Sequence, residues 1–221
     1  MASDEEHDAP RFLNPYAPIR ITRASLPHWQ QDEVTYFTTF SLVDSLPRAK
    51  LVPWMRERDR WLAEHPEPRS EEDWEAYHER FSATLERWLD QGSGSRVLQI
   101  PECRLLMANA VRHFAGERYR LGEFVVAPNH VHVVLVPLPG HDLSGALHSW
   151  KSFTAKRISG IPAASRRLAA WWDGNHACRC EAAAVRDPAS PGCIPYQRPV
   201  WQKESYDHIV RSAASLSRIE E

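Results

Sequence analysis

The stretch Phe124-Val-Val-Ala-Pro-Asn-His-Val-His-Val-Val-Leu-Val136 sets two histidines, His130 and His132, one residue apart inside a β-branched run. In a strand the side chains at i and i+2 share a face, so both imidazoles point one way while Val131 and Val133 take the other. Two neutral imidazoles side by side form a partial shell for a divalent metal. A single histidine in a strand is more often a satisfied core residue, and that reading competes. The flanks favour a site. Pro128 and Asn129 turn the chain just before the pair, and Pro137, Pro139 and Gly140 close the run just after it.

Tyr119 to Val126 lies only Ala127-Pro-Asn129 away, so the two runs are expected to pair as an antiparallel hairpin. Asp142 or Ser144 then caps a helix through Leu147, Trp150, Phe153 and Ile158, whose other face carries Lys151, Lys156 and Arg157. Before the hairpin, Val97-Leu98 reads as a short extended piece and Pro101 opens a helix through Leu105, Leu106, Ala110 and Phe114. Val34 to Leu42 is rich in β-branched and aromatic residues and reads as the first strand. With a last strand in Val200 to Arg211, the order β-α-β-β-α-β predicts a ferredoxin-like α+β fold: an antiparallel sheet with helices on one face and the histidines on a central strand.

Two stretches interrupt that order. Residues 44–92 read as an inserted helical pair. Asp44-Ser-Leu-Pro47 starts the first helix with Asp or Ser as cap, and Leu51, Trp54, Trp61 and Leu62 recur at helical spacing. Ser70-Glu-Glu-Asp73 resembles a capping box for the second, in which Trp74, Tyr77, Phe81, Leu85 and Trp88 form a stripe suited to core packing. Gly92-Ser-Gly94 ends it. Residues 161–198 show no clear period and read as irregular. His176-Ala-Cys-Arg-Cys180 with Cys193 matches paired zinc spacing poorly, so these cysteines read as reduced thiols. Residues 1–25, with unperiodic prolines, read as a flexible arm ahead of a single domain over 26–221.

The composition fits a chain that buries a core: 221 residues, 43% hydrophobic, with nine tryptophans. The acidic N-terminus lacks an apolar signal core and no run reaches membrane-span length, so a cytoplasmic protein without a membrane partner is expected. A net charge of −2 does not advertise nucleic-acid binding. Contact with DNA therefore depends on local clustering. Arg104, Arg112, Arg118, Arg120, Lys151, Lys156 and Arg157 outnumber the acids of their stretch, whereas Glu64 to Glu86 is strongly acidic.

Pro128-Asn-His-Val-His132 with its apolar run, Leu143-Ser-Gly-Ala-Leu-His-Ser-Trp-Lys-Ser-Phe-Thr154, Val200-Trp-Gln202 and Ser205-Tyr-Asp-His-Ile-Val-Arg211 follow one another in an order that resembles the HUH-type single-strand tyrosine transposases, and among them the REP-associated tyrosine transposases. The resemblance runs, with one interruption, from Leu26-Pro-His-Trp29 to the last residue. Members of that family usually cross in a short connection where residues 161–198 stand, so by this resemblance the stretch is an irregular insertion. It implies cleavage and rejoining of single-stranded, hairpin-containing DNA through a 5′-phosphotyrosine, with Mg²⁺ or Mn²⁺ held by His130 and His132. It also implies a monomer, or a homodimer that exchanges the tyrosine helix.

The resemblance places the catalytic tyrosine just after the segment matched by Ala214-Ser-Leu-Ser-Arg-Ile-Glu-Glu221, together with a last metal ligand one helical turn further on. The sequence stops at Glu221, so the expectation is a form without its nucleophile and without activity. Tyr206 is the one nearby substitute, although an aromatic residue is also expected there as part of the strand. Asp207 and His208 could supplement a metal only from the histidine face. Lys151, Lys156, Arg157 and Arg211 are the candidate phosphate contacts, and Trp150 or Trp201 candidate stacking surfaces, with core burial the competing reading. Two further functions stay open: a DNA-binding remnant that cannot cut, and a metal-dependent phosphodiester hydrolase that uses water as nucleophile.

Overall fold

The structure is a computed structural model that describes residues 11–14, 16–18, 20–23, 27–66, 69–176, 199–203, 205–210 and 212–220. Its centre is the strand Tyr36–Ser41 (β3), buried at every position because it has a strand on each side and packed layers on both faces. On one side β3 pairs antiparallel with His130–Pro137 (β5), which in turn pairs with Tyr119–Val126 (β4). On the other it pairs with Tyr206–Ile209 (β6). The sheet order β4-β5-β3-β6, all antiparallel, is the ferredoxin-like α+β arrangement that the sequence predicts.

The register assigns the faces. Tyr36, Phe40, Val131, Val133 and Leu135 turn to a core shared with Pro101–His113 (α4) and Leu143–Gly160 (α5), which supply Cys103, Met107, Val111, Leu147, Trp150 and Ile158. Phe37, Thr39 and Ser41 turn the other way, opposite Val134, His132 and His130. Onto that second face pack Ala213–Glu220 (α7), through Leu216 and Ile219 against Phe37, Val134 and Val210, and the inserted helices, through Tyr206.

The insertion comprises Arg48–Glu64 (α1), Glu71–Tyr77 (α2), a π-helical turn His78–Ser82 and Ala83–Asp90 (α3). Ser70 forms the expected capping box with Asp73. The start of α1 differs from expectation. Pro47 is its N-cap, and Asp44 and Ser45 face inward: the Asp44 carboxylate accepts from the Ser95 amide at 2.6 Å, and Ser45 donates to the Asn129 carbonyl at 2.6 Å. Gly94, at φ +93°, completes this closure, since a Cβ there would stand 2.6 Å from the Asp44 carbonyl oxygen.

Other expectations are corrected. Val97–Gln99 is a 3₁₀ turn, closed by the Ile100 amide on the Val97 carbonyl, whereas α5 is capped as expected, by Asp142 of the two candidates. The region read as an irregular insertion begins with a helix, Pro162–His176 (α6). Its alanines favour helix and Pro162 opens it, while Ala164 and Leu168, one turn apart, bury into the main core. His176 ends that helix, and the cysteines at 178, 180 and 193 lie outside the described residues. The N-terminal arm is also tied down from residue 11. Leu13 donates its amide to the Val210 carbonyl, Thr35 donates to the Arg11 carbonyl, and Arg20–Arg23 (β1) pairs with Pro27–Gln30 (β2). The last strand is shorter than Val200 to Arg211, with Trp201 bridging to Leu42 ahead of it. Among the described residues no helix is long and apolar enough to cross a membrane.

Candidate metal centre

His130 and His132 project from β5 onto the second face of the sheet, with ring centroids 4.6 Å apart in an edge-to-face arrangement. Asn129 orients the first. Its side-chain amide donates to the Leu89 and Ser93 carbonyls, each at 3.1 Å, which leaves its Oδ1 as acceptor for His130 Nδ1 at 2.9 Å. His130 therefore carries its proton on Nδ1, and Nε2 presents a lone pair. Asn129 is fully buried and also accepts from Leu42 and Ser45 at its main-chain carbonyl. The Pro-Asn turn thus holds the first histidine and the two ends of the insertion in one network.

His132 sits opposite Thr39, shares a 2.8 Å hydrogen bond between Nδ1 and the Thr39 hydroxyl, and stacks on Phe37. Burial pulls the imidazole pKa of His130 down to about 4. Burial, reinforced by the neighbouring His130 and opposed by Asp90, brings His132 to about 4 as well. Both rings are neutral at physiological pH, the protonation state a metal ligand needs. Asp90, the last residue of α3, holds its carboxylate 3.9 Å from His130 Nε2. One turn earlier, Glu86 is pushed above the usual carboxylate range by burial and by the Asp90 charge.

The donor set fits a divalent cation in type and protonation. Among the described residues, however, no three His, Cys, Asp or Glu side chains stand ready as a metal set. Asp207 lies opposite Thr38, on the face away from the histidines, and His208 takes the register position opposite Phe37.

The remaining candidates separate. Tyr206 is in register with Thr39 and buried. Its hydroxyl shares hydrogen bonds with Ser82 and, at 3.3 Å, with His78 Nδ1, both on the π-helical turn. Burial and the neighbouring Tyr77 hold that phenol well above its ordinary pKa. Lys151 donates to the Gln202 and Lys203 carbonyls at 3.1 and 3.3 Å, bracing the approach to β6. Lys156 is exposed on α5, and Arg157 lies over the Phe153 ring. All three sit on the helix that covers the sheet face opposite the histidines. The Arg211 position lies outside the described residues. Trp150 and Trp201 are core residues, their indoles donating to Tyr119 Oη and Thr154 Oγ1, each at 2.9 Å. Sequence reasoning missed Asn129 as the orienting residue and Asp90 as a neighbour. Asn129 was legible as the residue before the pair, but Asp90 had no signal, because only the folded insertion brings it there.

No family profile and no curated protein matches the chain. Solved structures similar to it include two transposases. One is a REP-associated tyrosine transposase bound to a REP hairpin, at 11% identity and a TM-score of 0.40 over 89% of this chain and 68% of that one. The other is an inferred transposase from Deinococcus radiodurans R1, at 12% identity and a TM-score of 0.36 over 86% of this chain and 88% of that one.

Proposed function

We propose that this chain is an HUH-type protein that binds single-stranded, hairpin-containing DNA and holds Mg²⁺ or Mn²⁺ between His130 and His132. The observation that carries the reading is the histidine pair itself: two neutral imidazoles on one face of a central strand, the first fixed by Asn129 so that its Nε2 lone pair is presented. Asn129, itself held by two carbonyls, fixes the His130 tautomer in the way an outer partner orients a metal-ligating imidazole. The sequence resemblance supplies the DNA substrate and the phosphodiester chemistry. When bound, the cation would polarise the scissile phosphate and stabilise the oxygen that leaves.

The chain's own contribution is position. His130 and His132 would fix the reaction centre on the second face of the sheet, and α7 brings the chain after β6 onto that same face through Leu216 and Ile219. Lys156 and Arg157 are proposed to meet backbone phosphates only where the DNA reaches round the edge of the sheet. Lys151 is assigned instead to bracing the segment before β6. Tyr206 is proposed as a structural tyrosine. A nucleophile must reach the phosphate and lose its proton, and this hydroxyl is buried, bonded to the insertion and held protonated.

The test is incubation with labelled single-stranded hairpin DNA and Mn²⁺, resolved on native and denaturing gels, beside His130→Ala, His132→Ala and Tyr206→Phe. The expected result is a Mn²⁺-stimulated shift that both histidine variants weaken at least tenfold and Tyr206→Phe leaves intact. A covalent adduct lost in Tyr206→Phe would overturn the assignment of that tyrosine. Cleavage without an adduct would move the reading to a hydrolase that uses water. A shift indifferent to metal and to both histidines would sink the metal-centre reading.

A further inference from the structure

We infer that Asp90, the last residue of the inserted helix α3, is a third protein ligand of the cation held by His130 and His132, an inference that rests on the metal reading proposed above. Two donors each about 2.1 Å from one ion lie roughly 3.0 to 4.2 Å apart, depending on the angle between them. The 3.9 Å between Asp90 Oδ1 and His130 Nε2 falls inside that span. The Asp90 side chain is 73% exposed, so its carboxylate has room to turn toward the pair without disturbing the core.

A second, independent observation concerns the backbone that carries Asp90. The carbonyl of Leu89, the preceding residue, accepts from Asn129 Nδ2 at 3.1 Å, and the same Asn129 orients His130. One buried amide therefore fixes both the imidazole and the last turn of α3. The helix also ends at the pair with its C-terminus, where the aligned peptide dipoles present partial negative charge, which favours a cation and would repel an anion. A hard divalent ion such as Mg²⁺ or Mn²⁺ prefers oxygen, and two imidazoles alone give it none. The insertion supplies the missing ligand type. In this arrangement the inserted helices complete the metal centre as well as lengthening the chain.

Mn²⁺ binding to the full chain, read by the electron paramagnetic resonance signal of free Mn²⁺, tests this without reference to DNA cleavage. Asp90→Asn keeps size and polarity but removes the charge, and Glu75→Gln on α2 is the control for insertion charge in general. The expected result is a loss of Mn²⁺ affinity of at least about tenfold for Asp90→Asn, unchanged thermal melting without metal, and unchanged affinity for Glu75→Gln. Binding that His130→Ala and His132→Ala abolish but Asp90→Asn leaves intact would overturn the Asp90 assignment and spare the two-histidine centre. Equal losses for Asp90→Asn and Glu75→Gln would reduce Asp90 to a diffuse charge effect and overturn it too. No Mn²⁺ binding by the unaltered chain would overturn both.

Discussion

At the scale of single residues, the histidine pair shows how burial tunes a site before any ligand arrives. An unfolded histidine titrates near 6.5, and both of these are brought to about 4 in the folded chain. The folded state therefore binds fewer protons than the unfolded state between those values, so stability rises with pH across that window and falls as the medium is acidified. In chelator-treated protein, stability is expected to be level above about pH 7 and to drop by a few kcal/mol between about pH 6.5 and 4. His130→Gln with His132→Gln should flatten that drop. Urea midpoints measured across the range decide the matter, and an unchanged slope in the double variant would place the acid sensitivity elsewhere. The pair was legible in the sequence because strand parity alone puts i and i+2 on one face. Its low pKa was not, because desolvation depends on what Phe37, Thr39 and the insertion pack around it.

Among the elements, those that announce themselves by local pattern were readable: the β4–β5 hairpin from its three-residue turn, α4 from Pro101, and the capping box at Ser70. Those decided by tertiary contact were not. Among the described side chains of α6 the fully buried ones are Ala164 and Leu168, too few for a periodic signal, and Asp44 and Ser45 look like helix caps until Asn129 and Ser95 are brought beside them. That closure carries its own prediction. Gly94 stands at φ +93°, in a region L-residues avoid at a cost of roughly 1–2 kcal/mol, and a Cβ there would also push on the Asp44 main chain. Gly94→Ala is expected to destabilise the protein by at least that amount, whereas Gly116→Ala, also at positive φ but with nothing within 4 Å of the added Cβ, should lose only the conformational part. Equal losses in thermal melts of the two variants would show that the closure is not tightly packed.

Across the whole molecule, the buried apolar residues divide into a main core between sheet and helices, an insertion core, and a small cluster under α7. The insertion core is made almost wholly of its own residues, Trp54, Trp61, Tyr77, Phe81, Leu85 and Leu89, and the sheet adds Tyr206. Its polar ties run to the turn before β5, where Asn129 meets Leu89, Ser93 and Ser45, and to β6, where Tyr206 meets Ser82 and His78. A unit with its own core and a narrow attachment opens without unfolding the rest, so its amides should exchange at a lower free energy than those of β3 and β5. Native-state hydrogen exchange in chelator is expected to show α1 to α3 losing protection together while the sheet stays closed. If Asp90 joins the cation to the histidines, Mn²⁺ closes a second link at the same end. Protection should then rise in the last turn of α3 more than in α4, and Asp90→Asn should remove the rise. Exchange from the insertion and the sheet at one common rate would mean that the two cores unfold as one, and the attachment through Asn129 would have to be stronger than its few hydrogen bonds imply.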